Sequence, residues 1–174
     1  MGSLARRAAA LGRARGFTLV ELVVVICLVA VLFGIALDRL LRYQELGERA
    51  AMEQNLAAIN TALTMRFATL VIAGRGKEIE KEAGGNPIHL LARPPENYLG
   101  ALYAPTPQSL QPRSWHYDRA SGDLVYMPGR KRYLTEPPDA ENGLRFRVQL
   151  SDPAHEELRQ PFIRAREPYR WVID

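Results

Sequence analysis

Residues 13–39 read RARGFTLVELVVVICLVAVLFGIALDR. From Phe17 to Leu37 the only polar side chains are Thr18 and Glu21. As a helix rising about 1.5 Å per residue, this run reaches roughly 31 Å, close to the hydrocarbon thickness of a bilayer. An ionisable group in such a segment costs roughly 2.5 to 3.5 kcal/mol at mid-membrane and less near an end, so Glu21 requires a reason. The run also exceeds the apolar core of a secretory signal peptide, about 7 to 15 residues. It is followed by Asp38, Arg39 and Arg42 instead of a small-residue cleavage site.

Upstream, Arg6, Arg7, Arg13 and Arg15 fall within the first sixteen residues, which hold no acid. The positive-inside rule places residues 1–15 in the cytoplasm and the C-terminal part outside; Arg39 and Arg42 weaken this orientation without reversing it. The 174-residue chain carries a net charge of +4. Without the four leader arginines, the 23 basic residues fall to the number of acidic ones, 19. The basic excess therefore belongs to the leader and is no argument that the remainder binds nucleic acid. Cys27 is the single cysteine. It excludes an intramolecular disulfide and reads as a small membrane-buried hydrophobe.

Downstream, Leu56, Ile59, Leu63, Phe67 and Leu70 recur at steps of three and four, the apolar stripe of a helix whose other faces carry Glu53, Gln54, Asn60 and Arg66. The pattern predicts one helix from about residue 17 to about residue 72, apolar all round in its first half and amphipathic in its second. Gly74 and Gly76 end it. Residues 74–112 read as a connecting loop with a charged run, KEIEKE, and a short helix over about 87–92, capped by Asn86 with Pro87 in its first position. RSWHYD and DLVYMP, joined by residues 119–122, form a hairpin candidate. GLRFRVQL alternates strictly, as a half-buried strand does, and YRWVI is a candidate last strand. The expected class is α+β: a long helix whose second half packs on a small antiparallel sheet. The divisions are 1–16, 17–37, 38–73, 74–112 and 113–174.

Gly16, Phe17, Thr18, Leu19, Val20 and Glu21, set between a basic leader and a spanning helix, resemble the N-terminus of type IV prepilins and of type II secretion pseudopilins. The resemblance is specific over about residues 13–37. It implies that a prepilin peptidase cuts between Gly16 and Phe17 and N-methylates the new Phe17 amine. It also implies that Glu21 is the assembly residue. A buried amine and a buried carboxylate are each costly alone and offset one another when paired. The Glu21 carboxylate of one subunit would thus neutralise the Phe17 amine of its neighbour and set the axial step between helices. The resemblance further implies an inner-membrane precursor with its head in the periplasm. Its partners would be other pilin or pseudopilin subunits and an inner-membrane assembly platform. A monomeric single-pass anchor presenting a binding head is the competing reading.

Departures from the family pattern bear on subclass. Asp38 stands where many pilins have a helix-bending proline, and no cysteine pair closes a C-terminal loop. Asp152, Glu156 and Glu157 in SDPAHEELRQPF do not match the spacing of a calcium loop. These differences tilt toward a minor subunit. His89, His116 and His155 lack zinc-site spacing, and neither a phosphate loop nor a catalytic motif occurs. The expectation is a non-enzymatic protein without metal or cofactor. Arg113, Arg119, Arg130, Lys131, Arg132, Arg145 and Arg147, interleaved with Trp115, Tyr117, Tyr126, Tyr133 and Phe146, raise a nucleic-acid face as a minor alternative to a solvated strand face balanced by acids.

Overall fold

The computed structural model describes residues 17–135, 143–151 and 159–172. It shows an α+β, pilin-like architecture: a long N-terminal helix, α1 (Leu19–Ile72), followed by a small, mostly antiparallel sheet. The chain divides into two compact units, with the boundary between Leu41 and Arg42.

In the first unit, every described side chain from Phe17 to Leu37 is exposed. This part of α1 is long and apolar enough to cross a membrane, and none of it is buried by the protein. A helix apolar on all faces and exposed along its length needs lipid or other helices around it. Cys27 lies on this exposed run.

In the second unit, α1 buries Met52, Ile59, Leu63 and Leu70, with Leu56 and Phe67 half-buried. The stripe expected from the apolar periodicity is present and runs farther upstream than hydrophobic residues alone indicate. Glu48 and Glu45 continue the three-and-four spacing above Met52, and both are buried. The helix ends as Gly74 requires: with φ at +70° it donates to the Val71 carbonyl at 2.9 Å, while Arg75 N–H reaches the Leu70 carbonyl at 2.8 Å. This is a Schellman closure around a left-handed glycine. The charged run that follows, expected as loop, forms a 3₁₀ segment, Gly76–Glu82, turned so that Ile79 is buried. The short helix beyond it is also 3₁₀, Pro87–Leu90, with Ile88 N–H capped by Asn86 Oδ1 at 3.2 Å.

Seven strands follow: β1 (Tyr98–Leu102), β2 (Ser114–Asp118), β3 (Asp123–Met127), β4 (Leu134–Thr135), β5 (Leu144–Leu150), β6 (Pro161–Ala165) and β7 (Arg170–Trp171). The main sheet has the order β1-β2-β3-β5-β6, and β4 pairs with β7 in a separate ribbon. The β2–β3 hairpin forms across residues 119–122 and β5 alternates as its sequence demands. Three features correct the sequence reading. Residues 74–112 contain a strand, β1, which pairs with β2 in parallel, the exception in an otherwise antiparallel sheet. PFIRA supplies β6 at the edge beside β5. YRWVI contributes only Arg170–Trp171, and to the ribbon instead of the main sheet.

The core lies between the second half of α1 and the inner sheet face. Met52, Ile59 and Leu63 meet Trp115, Leu124, Tyr126, Leu144, Phe146 and Val148. Trp115 packs at tilted angles on Tyr126 (centroids 4.8 Å apart) and Phe146 (5.8 Å), and Tyr169 meets Phe146 edge-on. Fully burying each such side chain contributes about 1.5–3 kcal/mol. At the opening of β5, Gly143 has φ +80°, and a Cβ there would stand 2.6 Å from the Tyr126 carbonyl oxygen and 2.7 Å from Met127 Sδ. Gly143→Ala combines left-handed strain with a backbone clash, and is expected to lower head stability by about 2–3 kcal/mol. A denaturant midpoint unchanged from wild type would contradict this.

Candidate functional site

The residues singled out at the N-terminus lie on the first turn of α1 and just before it. Gly16 falls outside the described residues. Phe17 and Thr18 precede the helix, and Phe17 is 72% exposed. Thr18 is the N-cap: its Oγ1 accepts the Glu21 N–H at 3.2 Å, and its carbonyl accepts the Leu22 N–H at 3.1 Å. Thr18 and Glu21 hold the spacing of a capping box, Ser/Thr followed three residues later by Glu. Thr18 and Glu21, the only polar side chains between Phe17 and Leu37, carry that signal in the sequence. The carboxylate also sits where unsatisfied amide N–H groups give the helix its positive end, which favours a negative charge. In this arrangement Phe17 precedes the helix, while Glu21 is one turn inside it and exposed.

Two further carboxylates, which the sequence reading did not single out, bind the head to α1. Glu45 Oε1 accepts the Trp171 indole N–H at 2.9 Å and the Tyr133 amide at 3.0 Å. Glu48 Oε1 accepts the Gly129 amide at 2.6 Å and the Tyr126 hydroxyl at 3.1 Å, and its Oε2 accepts from Arg113 Nε at 3.0 Å. Burial, reinforced by the Glu48 charge, pushes the Tyr126 phenol above its ordinary value. The two carboxylates, one helical turn apart, thus hold the β3–β4 connection and β7 against the helix. The available clue in the sequence was their continuation of the apolar stripe.

The basic and aromatic residues do not assemble into one face. Trp115, Tyr126 and Phe146 are in the core. Arg113 pairs with Glu48 on the helix, whereas Arg145 and Arg147 approach Asp118 and Asp123 on the other side of the sheet. Burial alone pushes the Asp118 carboxyl up. Hydrogen bonds from Ser121, Ala120 and Ala104, with Arg145 nearby, more than offset this and hold it below its ordinary value.

Among the histidines, His89 is exposed beside Glu82 at 3.3 Å, and His155 lies outside the described residues. So do Asp152, Glu156 and Glu157 of the segment weighed against a calcium loop. Among the described residues no group of three or more His, Cys, Asp and Glu side chains is placed to hold a metal ion.

His116 is 2% exposed on β2, and its Nδ1 has no hydrogen-bond partner among the described residues. Burial lowers its pKa, with Asp118 acting in the opposite sense and Arg145 in the same one. The unfolded chain takes up a proton near pH 6.5 that the folded chain resists, so stability is lost as pH falls below about 6.5, by at most about 1.4 kcal/mol per pH unit from this group. His116→Gln should flatten the fall in Tm between pH 7.5 and 5.5; an equally steep fall in the variant would refute the assignment.

Residues 11–37 match the prokaryotic N-terminal methylation motif, the type IV prepilin-like signal segment. No curated protein and no solved structure matches the chain. The matched segment spans the basic leader's end, the Gly16–Phe17 junction, the Thr18 cap, Glu21 and the exposed apolar part of α1.

Proposed function

We propose that this chain is a structural subunit, and a minor one, of a type IV pilus or of a type II secretion pseudopilus. In this reading it is a precursor in the bacterial inner membrane, with its N-terminus in the cytoplasm and its head in the periplasm. A prepilin peptidase cuts it between Gly16 and Phe17 and methylates the Phe17 amine. The mature chain then joins other pilin or pseudopilin subunits at an inner-membrane assembly platform through α1. It is not an enzyme: its chemistry is a charge pair made between copies of like helices.

One observation carries the reading: a methylation motif leads directly into an exposed apolar helix with a single carboxylate in its first turn. Removing the leader deletes four arginines that hold the N-terminus at the cytoplasmic face. The new ammonium lies one residue before the cap, and a carboxylate from a neighbouring helix is its lowest-cost partner at lipid depth. The absence of a proline at Asp38 and of a cysteine pair supports the minor assignment.

The test is mass spectrometry of the chain recovered from its producing cell. A mature form beginning at Phe17 and heavier by one methyl group is the expected result. A chain that retains residues 1–16 would favour the single-pass anchor instead.

A further inference from the structure

Strands β5 and β6 place four arginines on a two-by-two grid. Arg147 and Arg164 are directly opposed in the ladder, and one step away the Arg166 N–H bonds the Arg145 carbonyl at 2.9 Å. All four belong to the outer face, because the intervening Phe146, Val148 and Ile163 are buried toward α1. Opposed side chains have Cβ atoms about 5 Å apart, and like charges in that position repel. Along each strand the spacing is about 6.7 Å.

Two carboxylates offset part of this charge. Asp123, fully buried, accepts from Arg147 Nε at 2.7 Å and Arg166 Nη1 at 2.8 Å, with Arg145 Nη1 at 3.6 Å. Asp118 lies 3.6 Å from Arg145 Nη1, but its oxygens already accept from Ala104, Ala120 and Ser121. Arg164 is exposed and forms no ion pair among the described residues. Four guanidinium groups thus face two carboxylates. A sheet needing only to satisfy Asp123 has no use for Arg164.

We propose that this arginine grid is a docking face for an acidic segment of another protein, an extended strand or loop presenting carboxylates at positions i and i+2. The guanidinium fork matches a carboxylate bidentately, and the repeat of an extended segment matches the spacing along β5. Two carboxylates from the partner would neutralise the grid. A nucleic acid fits less well: Trp115, Tyr126 and Phe146 are in the core and unable to stack on bases. The inference concerns the head alone and does not depend on filament assembly.

The test uses the full chain in detergent micelles and a fluorescent Thr-Glu-Thr-Glu-Thr peptide, with its Gln counterpart as control. The Glu peptide should bind, weakening with added salt, and the Gln peptide should not. Arg164→Gln should weaken binding about tenfold, and Arg164→Glu should abolish it, with thermal unfolding unchanged because this exposed side chain makes no hydrogen bond or ion pair among the described residues. Equal binding of the two peptides, no binding of either, or unaltered affinity in both Arg164 variants would overturn the proposal. Tighter binding of a short DNA duplex than of the Glu peptide would also overturn it, and would assign the face to nucleic acid.

Discussion

Gly16→Asp is expected to leave the chain at its precursor length in the membrane, whereas Glu21→Ala should be shortened normally and then fail to enter a filament. The two outcomes separate two pieces of chemistry. The first concerns the peptide bond before Phe17, the residue that precedes the helix cap Thr18. A peptidase must approach that backbone closely, and glycine, lacking Cβ, permits this where a charged side chain does not. Gel mobility reads the result directly. The second concerns the charge partner of the ammonium that the proposed cleavage creates. Removing one member of a buried ion pair costs about 3–5 kcal/mol, because the other is left uncompensated. Per subunit, this corresponds to a loss of incorporation on the order of 10²–10⁴-fold. Filament content measured beside processed membrane protein provides the readout. Normal incorporation of Glu21→Ala would remove the carboxylate from the assembly step even if cleavage behaves as expected.

The second large effect is predicted at Glu48. Its carboxylate collects a hydroxyl, an amide and a guanidinium from three places in the head. Glu48→Ala leaves the Tyr126 hydroxyl and the Gly129 amide without their acceptor, and should destabilise the head by about 3 kcal/mol. Arg113 adds little to that loss, since its side chain is 51% exposed and water replaces its partner. Glu48→Gln retains an acceptor oxygen for both buried donors and gives up only the charge, so a cost of about 1 kcal/mol is expected. Thermal melting of the full chain in micelles should therefore rank wild type above Gln and Gln well above Ala, with Ala lower by about 10 °C. Equal losses for the two variants would show that the charge, and not the acceptor geometry, holds the loop.

These carboxylates also show where reading from sequence stops. The apolar periodicity located α1 and its core face because burial of a helix stripe repeats at 3.6 residues whatever it packs against. The same logic passed over Glu45 and Glu48, which occupy buried stripe positions with polar side chains. Acceptance of a buried carboxylate depends on donors from Trp171, Tyr133, Tyr126 and Gly129, up to 126 positions away in the chain. Nothing local to residues 45–48 encodes those donors. Likewise β5 was legible from its alternation, but β1 was not. YLGAL contains a glycine at φ +98° in a stretch where the register shifts, and its pairing with β2 is parallel, with no tight turn to announce it.

Residue type and spacing alone carry the N-terminal features: a basic stretch, a Gly–Phe junction, a capped helix start with Glu21, and an apolar run long enough to span a bilayer. Those features are local, set by residue type and spacing within a few turns of one helix, so no tertiary contact is needed to read them. Which charges in the head meet follows from the folded arrangement. It placed Trp115, Tyr126 and Phe146 inside, tied Glu45 and Glu48 to distant loops, and aligned Arg145, Arg147, Arg164 and Arg166 on one outer face. The reason is physical: ion pairs and sheet register join segments that are remote along the chain, and their energies exist only once the core has closed and brought them within a few ångströms.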